Sequence, residues 1–79
     1  MEFTRGLVAR AVSGRDKGGF FVILSAESGY AVICDGKRRS LQKPKKKNIK
    51  HLLATQTVLQ EDSMGTNREI RRALSCFNR

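Results

Sequence analysis

Short apolar runs separated by turn residues fill the first part of this 79-residue chain. Residues 7–13, 20–25 and 30–34 are rich in small, β-branched and aromatic side chains, which suit a pleated sheet. A charged, glycine-rich loop over residues 14–19 separates the first two runs, and Glu27-Ser28-Gly29 separates the second from the third. This pattern predicts three consecutive strands.

Two further strands are expected before the pattern changes. Asp35-Gly36 is a strong signal for a two-residue hairpin, so residues 37–41 are expected to form a fourth strand. The following segment, residues 43–47, contains Pro44 and a run of lysines, which excludes it from the centre of a sheet. A fifth short strand is expected within residues 49–58.

The C-terminal segment has the periodicity of a helix. Thr66-Asn67-Arg68-Glu69 fits a capping box, in which the Thr and Glu side chains bond the free backbone amides of the first turn. Ile70, Ala73, Leu74 and Phe77 then follow at helical spacing and form one apolar stripe. The second and third strands are apolar on both faces, so the stripe is interpreted as a cover for the sheet, with a partner-binding groove as the alternative.

Together these elements predict a mainly β fold. About five short strands in residues 1–60 would form a small curled or closed sheet, and a helix in residues 61–79 would pack on it within a single domain. A chain of this length buries only about 60% of the surface that its unfolded form exposes. It therefore has little room for a deep active-site cavity.

Charge changes the picture most. The chain has 16 Lys and Arg against 7 Asp and Glu, a formal net charge of +9. A clustered excess of this size favours a polyanionic partner, nucleic acid or less often a membrane surface. The longest cluster, residues 37–50, contains no acid, and it supplies these candidate phosphate contacts: Lys37, Arg38, Arg39, Lys43, Lys45, Lys46, Lys47 and Lys50.

The glycine-rich loop adds Arg15 and Lys17, which are expected to face the same ligand. Asp16 between them either braces the turn or contacts a base. The lysine-dominated segment is expected to be flexible and to contact the nucleic-acid backbone with little sequence reading. Its alternative interpretation is a solvated charged loop. The aromatic side chains Phe20, Phe21, Tyr30 and Phe77 are expected in the core. Tyr30, just after a turn, has the alternative role of stacking on a base and is the best candidate for it.

Enzymatic chemistry finds no support in the sequence. The loop has three residues between Gly14 and Gly18 where a P-loop has four, and a strand rather than a helix follows it. His51 is the only histidine, so neither a zinc site nor a His-activated nucleophile is expected. We therefore expect no catalytic residues, metal, cofactor or small-molecule substrate.

Localisation is expected to be cytoplasmic. Cys34 and Cys76 are two isolated cysteines, which favour free thiols over a disulfide framework. The first residues lack the apolar stretch of a signal peptide, and the longest apolar run, residues 20–24, is too short to span a membrane.

Several stretches resemble a known family. Residues 12–18, VSGRDKG, followed by Val22, resemble the KOW motif. With residues 6–8 (GLV), 31–36 (AVICDG) and 48–52 (NIKHL), the chain over residues 5–59 resembles the eukaryotic-type ribosomal protein L-fourteen-e family. It is similar also to the short KOW-domain RNA-binding proteins of some Gram-positive bacteria. It departs from many KOW loops in having Phe20-Phe21 where a further glycine is common.

The resemblance implies an SH3-like (KOW) barrel that binds structured ribosomal RNA, of the large subunit, and associates with the ribosome. The alternative function is a protein-interaction module that docks on RNA polymerase or on another component of transcription or translation. The lysine-rich segment separates the two hypotheses, because a protein-binding groove has no need of it.

Overall fold

Five antiparallel strands form one sheet, and a single C-terminal helix packs against it. The computed structural model describes residues 3–78. Along the chain the elements are β1 (Leu7–Ala11), β2 (Phe20–Glu27), β3 (Tyr30–Cys34), β4 (Lys45–Asn48), β5 (Leu52–Val58) and α1 (Asn67–Leu74). Short 3-10 turns at Ile49–His51 and Glu61–Ser63 precede β5 and α1. The prediction of a mainly β fold with one C-terminal helix is confirmed.

The strands lie in the order β4-β3-β2-β1-β5. Ser28 and Gly29 join β2 to β3 with φ angles of 53° and 84°, the two positive values that a tight type I′ hairpin needs. The two edge strands, β4 and β5, follow one another in the chain but form no backbone ladder with each other within residues 3–78. The sheet is therefore open at this seam.

The expected strand over residues 37–41 is wrong. The Asp35 carboxylate accepts hydrogen bonds from the backbone N–H groups of Lys37 and Arg39, both at 2.9 Å. Asn67 of the helix accepts the N–H of Leu41 at 2.8 Å. These backbone donors are therefore bonded to side chains rather than to a neighbouring strand, a competition typical of Asp and Asn.

The fourth strand is instead the lysine run itself. Residues Lys45–Asn48 pair with β3, from Ile33 opposite Lys45 to Tyr30 opposite Asn48. The strand lies at the edge of the sheet and begins directly after Pro44, positions that proline tolerates. The expectation of a flexible lysine segment is therefore wrong for residues 45–47, whereas its exclusion from a central strand holds.

Side chains on the two faces of the sheet form two cores. The inner core comprises Leu7, Ala9, Ala11, Phe21, Ile23, Ala31, Ile33 and Leu52. The helix-side core comprises Val8, Val22, Cys34, Met64, Ile70 and Leu74. Where the helix-side core covers them, β1–β3 are buried on both faces, and this explains why the sequences of these strands are apolar on both sides there.

The helix begins where its sequence predicts, although only the Thr half of the capping box forms: the Glu69 carboxylate accepts a hydrogen bond from the Thr66 hydroxyl and bonds no backbone amide within residues 3–78. The Thr66 hydroxyl accepts the N–H of Glu69 at 3.1 Å and caps the first turn. Ile70 and Leu74 are almost completely buried against the sheet, so the apolar stripe packs on the core instead of forming a partner groove. The helix ends at Leu74, earlier than the stripe suggests, and the Phe77 ring beyond it packs on Phe20 with centroids 5.1 Å apart.

Candidate nucleic-acid interface

The glycine-rich loop is a tight, internally bonded turn. Gly18 donates its N–H to the Ala11 carbonyl at 2.8 Å, and Lys17 donates to the Gly14 carbonyl at 3.2 Å. Gly14 has a φ of 78°, and a Cβ there would also lie 3.3 Å from the Lys47 ammonium. Because the backbone is fixed in this way, the side chains of Arg15 and Lys17 are held out in solvent.

Asp16 points the other way, into the protein. Its carboxylate is nearly buried and lies 3.4 Å from the Arg39 guanidinium and 3.7 Å from the Lys47 ammonium. We call these three side chains the Asp16 triad. They join the glycine-rich loop, the loop over residues 35–39 (the Asp35 loop) and β4. Of the two roles considered for Asp16, the structure shows the bracing one.

Lys47 is not available as a phosphate contact. Its side chain is only 8% exposed, and its ammonium donates to the Ser13 carbonyl at 3.0 Å in addition to the Asp16 contact. Lys47 pairs with Ala31 of the inner core, and opposed residues of an antiparallel pair lie on the same face. The prediction that Lys47 contacts RNA is therefore wrong for the folded protein.

Five cationic side chains from three separate segments converge on one cleft. It has a volume of about 420 Å³, and its cations are Arg15 and Lys17 of the glycine loop, Lys37 and Arg38 of the Asp35 loop, and Arg71 of α1. The two carboxylates in its lining, Asp16 and Asp35, already bond cations or backbone amides. The cleft therefore presents free positive charge to solvent; we call it the basic cleft.

Arg71 is the member of the basic cleft that the sequence did not assign to the site. The helical spacing of the sequence places Arg71 off the apolar stripe. It does not indicate which loop of the sheet this part of the helix approaches. The close contact of Gly36 with α1 sets this approach: a Cβ on Gly36 would collide with the Asn67 carbonyl oxygen. Only glycine lets the Asp35 loop pack this tightly on the helix.

The remaining predicted cations lie apart from the basic cleft lining. Arg39 is half-buried and bonds Asp16, so it positions the two loops. Lys45 is half-buried on the inner side of β4, whereas Lys43 and Lys50 are exposed beside that strand. Lys46 is exposed, and its ammonium lies 4.8 Å from the centroid of the Tyr30 ring.

The histidine and the two cysteines form no metal-binding cluster within residues 3–78. His51 is exposed and lies on the 3-10 turn just before β5. No three His, Cys, Asp or Glu side chains in residues 3–78 are grouped closely enough to hold a metal ion. Burial raises the pKa of the Cys34 thiol, and Cys76 is exposed; both are free.

No protein-family model matches this chain, and no curated protein is detectably similar to it. Within residues 3–78, no helix combines the length and the apolar character needed to cross a membrane.

Proposed function

We propose that this protein binds structured RNA through the basic cleft. The observation that carries the proposal is the convergence of Arg15, Lys17, Lys37, Arg38 and Arg71 on one concave surface. Cations that neutralise RNA phosphates release condensed counterions, which drives association. Three of the five are arginines, whose planar guanidinium bonds phosphate through two N–H groups. Such a concave, positively charged surface fits the phosphate backbone of a folded RNA.

Preorganisation of the cations supports the same proposal. The Asp16 triad ties both cation-bearing loops to β4, and Asp35 bonds two amides of its own loop. Loops held in this way lose less conformational entropy when a ligand binds. A merely solvated charged loop has no need for an internal network of this kind.

The architecture proposed for this site is an SH3-like barrel of the KOW class, curled so that β4 approaches β5 across one 3-10 turn. The strand order and the single turn between the two edge strands support it. The ribosome, and its large-subunit RNA, is the proposed partner because residues 12–18, 31–36 and 48–52 resemble the L-fourteen-e family. The proposed place of action is the cytoplasm.

The test measures binding of labelled ribosomal RNA fragments across a salt series, with sucrose-gradient profiles of tagged protein from its own cells. The variant Arg15→Gln/Arg38→Gln removes two cations of the basic cleft. The matched control, Arg68→Gln/Arg72→Gln, removes two exposed cations of α1 that do not line it. We expect the cleft variant to lose affinity for RNA. The slope of log affinity against log salt concentration should also become shallower by about two units, since each phosphate contact contributes nearly one.

Equal losses for the two variants would reject the basic cleft as the binding surface. Retained ribosome association at high salt, with no loss of affinity for either variant, would favour the protein-docking alternative instead.

A further inference from the structure

The helix covers only one end of its face of the sheet. α1 packs over Cys34 and Val22, and the opposite end of the same face stays open. Direct pairing of Glu27 with Tyr30, and of Val32 with both Ser25 and Lys46, places these side chains on one side. They line, with Ser28, a concavity of about 550 Å³: Ser25, Glu27, Ser28, Tyr30, Val32 and Lys46. We call this surface the Tyr30 face.

The lining of the Tyr30 face includes an exposed aromatic ring. Tyr30 is 43% exposed, although Phe21, a comparable ring on the neighbouring strand, is only 3% exposed. Its backbone is fixed by the Ser28–Gly29 turn and by pairing on both sides, to Glu27 and Asn48. An aromatic ring on a fixed backbone position offers a planar surface for stacking without ordering of the backbone.

The polar groups around the ring do not suit a phosphate. The Glu27 carboxylate lines the same concavity and forms no salt bridge within residues 3–78, so it would repel an anion seated there. A carboxylate beside an aromatic ring instead suits a nucleobase, whose face stacks and whose amino or imino groups donate hydrogen bonds. The Lys46 ammonium, on a flexible side chain, is close enough to neutralise the phosphate next to such a base.

We propose that the Tyr30 face binds one unpaired nucleobase of a structured RNA. The base stacks on the Tyr30 ring, the Lys46 ammonium moves from the ring to the adjoining phosphate, and Glu27 accepts hydrogen bonds from the base edge. Guanine is the preferred base, because its N1–H and N2–H groups present two adjacent donors to a carboxylate. The inference rests on the RNA-binding function proposed above and adds a second, base-reading site to it.

The experiment compares two stem–loop RNAs that differ only by one unpaired guanine in the stem, with binding measured by fluorescence anisotropy. Stacking on an aromatic side chain is worth enough that Tyr30→Ala should weaken binding of the bulged RNA about 5- to 150-fold. Binding of the fully paired RNA should change less than about 2-fold. Tyr30→Phe keeps the ring and should keep the affinity. Leu53→Ala, an exposed apolar residue of β5, is the matched control and should behave as wild type.

Glu27 is tested by exchanging the bulged base. Wild-type protein should prefer unpaired guanine to unpaired adenine, and Glu27→Gln should lose that preference while its affinity for the paired RNA stays unchanged. Equal effects of Tyr30→Ala on the bulged and paired RNAs, or no effect on either, would overturn the inference and leave the basic cleft intact. Absence of salt-dependent binding to both RNAs by the wild-type protein would instead overturn the proposed function and this inference together.

Discussion

Replacement of Lys47 separates the structural role of one residue of the lysine run from the RNA-binding role that the sequence predicts for the run. The perturbation is Lys47→Gln, compared with Lys43→Gln, which changes the same residue type at an exposed position just before β4. Lys47 donates to the Ser13 carbonyl at 3.0 Å and lies 3.7 Å from the Asp16 carboxylate, with 8% of its side chain exposed. Its loss therefore removes both contacts from the interior.

The magnitude follows from what each partner loses. Removing one member of a buried ion pair costs about 3–5 kcal/mol when the other charge is left alone. Arg39 remains 3.4 Å from Asp16, so that carboxylate keeps one cation and the charge penalty is smaller. The Ser13 carbonyl loses its donor, which costs about 1–3 kcal/mol for a buried group. Together we expect a loss of about 2–4 kcal/mol in the free energy of unfolding.

A loss of this size is large for the chain. At about 0.05–0.15 kcal/mol per residue, a domain of 79 residues has a total stability of roughly 4–12 kcal/mol. Urea denaturation, followed by circular dichroism, measures the change. Lys43→Gln, a surface substitution, should stay within about 0.5 kcal/mol of wild type.

For RNA binding we expect the reverse: Lys43→Gln should have the larger effect and Lys47→Gln the smaller one. The measurement is RNA affinity as a function of salt concentration, under conditions where both variants remain folded. Lys47→Gln should leave the salt dependence unchanged, and Lys43→Gln should reduce it by about one unit where that lysine contacts phosphate. Wild-type stability for Lys47→Gln, together with a reduced salt dependence, would refute the buried role. The double variant Asp16→Asn/Lys47→Met tests the pairing itself: its cost should be smaller than the sum of the Asp16→Asn and Lys47→Met costs, because each single variant already loses the Asp16–Lys47 contact and the double variant loses it only once.

Three further predictions follow from the packing and the titrating groups. Leu74→Ala removes a buried side chain under the sheet and should cost about 2–5 kcal/mol in urea denaturation; a change near zero would contradict its placement. The hydrogen bond from Arg5 lowers the pKa of the exposed Glu61 carboxyl, so this contact is present at neutral pH and is lost as the pH falls through the lowered pKa. Arg5→Gln should raise the pKa of the Glu61 carboxyl towards its ordinary value, and NMR of the carboxyl carbon measures this change. Iodoacetamide should alkylate exposed Cys76 in the native protein and reach Cys34 only on unfolding, because burial both shields that thiol and raises its pKa.

Local sequence patterns predict most of the elements of the fold. The predicted third strand, residues 30–34, coincides with β3, and the capping pattern at Thr66 marks where α1 begins. Both features depend on residues close together in the sequence: β-branched side chains on a strand, and a hydroxyl three residues before an orphan amide. Such short-range preferences can be read without knowing what the segment packs against.

The prediction of a fourth strand over residues 37–41 is wrong because side chains bond the backbone donors that a strand would use. Asp35 accepts N–H groups of its own loop, and Asn67, which accepts the Leu41 N–H, is distant in the sequence. The sequence alone also leaves the end of α1 unplaced relative to the Asp35 loop, so Arg71 could not be assigned to the basic cleft. Both facts depend on tertiary packing, which periodicity does not encode.

Strand pairing divides a run of lysines that looks uniform in sequence. Lys45 and Lys47 face the inner core and Lys46 faces outward, because side chains alternate along β4. The inward Lys47 and the half-buried Arg39 both bond Asp16, so these two cations stabilise the loops instead of meeting a ligand. The formal charge of +9 therefore overstates the charge available for binding. The cations of the basic cleft stay exposed, and the Asp16 triad ties together the two loops that carry four of them, so the fold and the proposed interface depend on the same carboxylate.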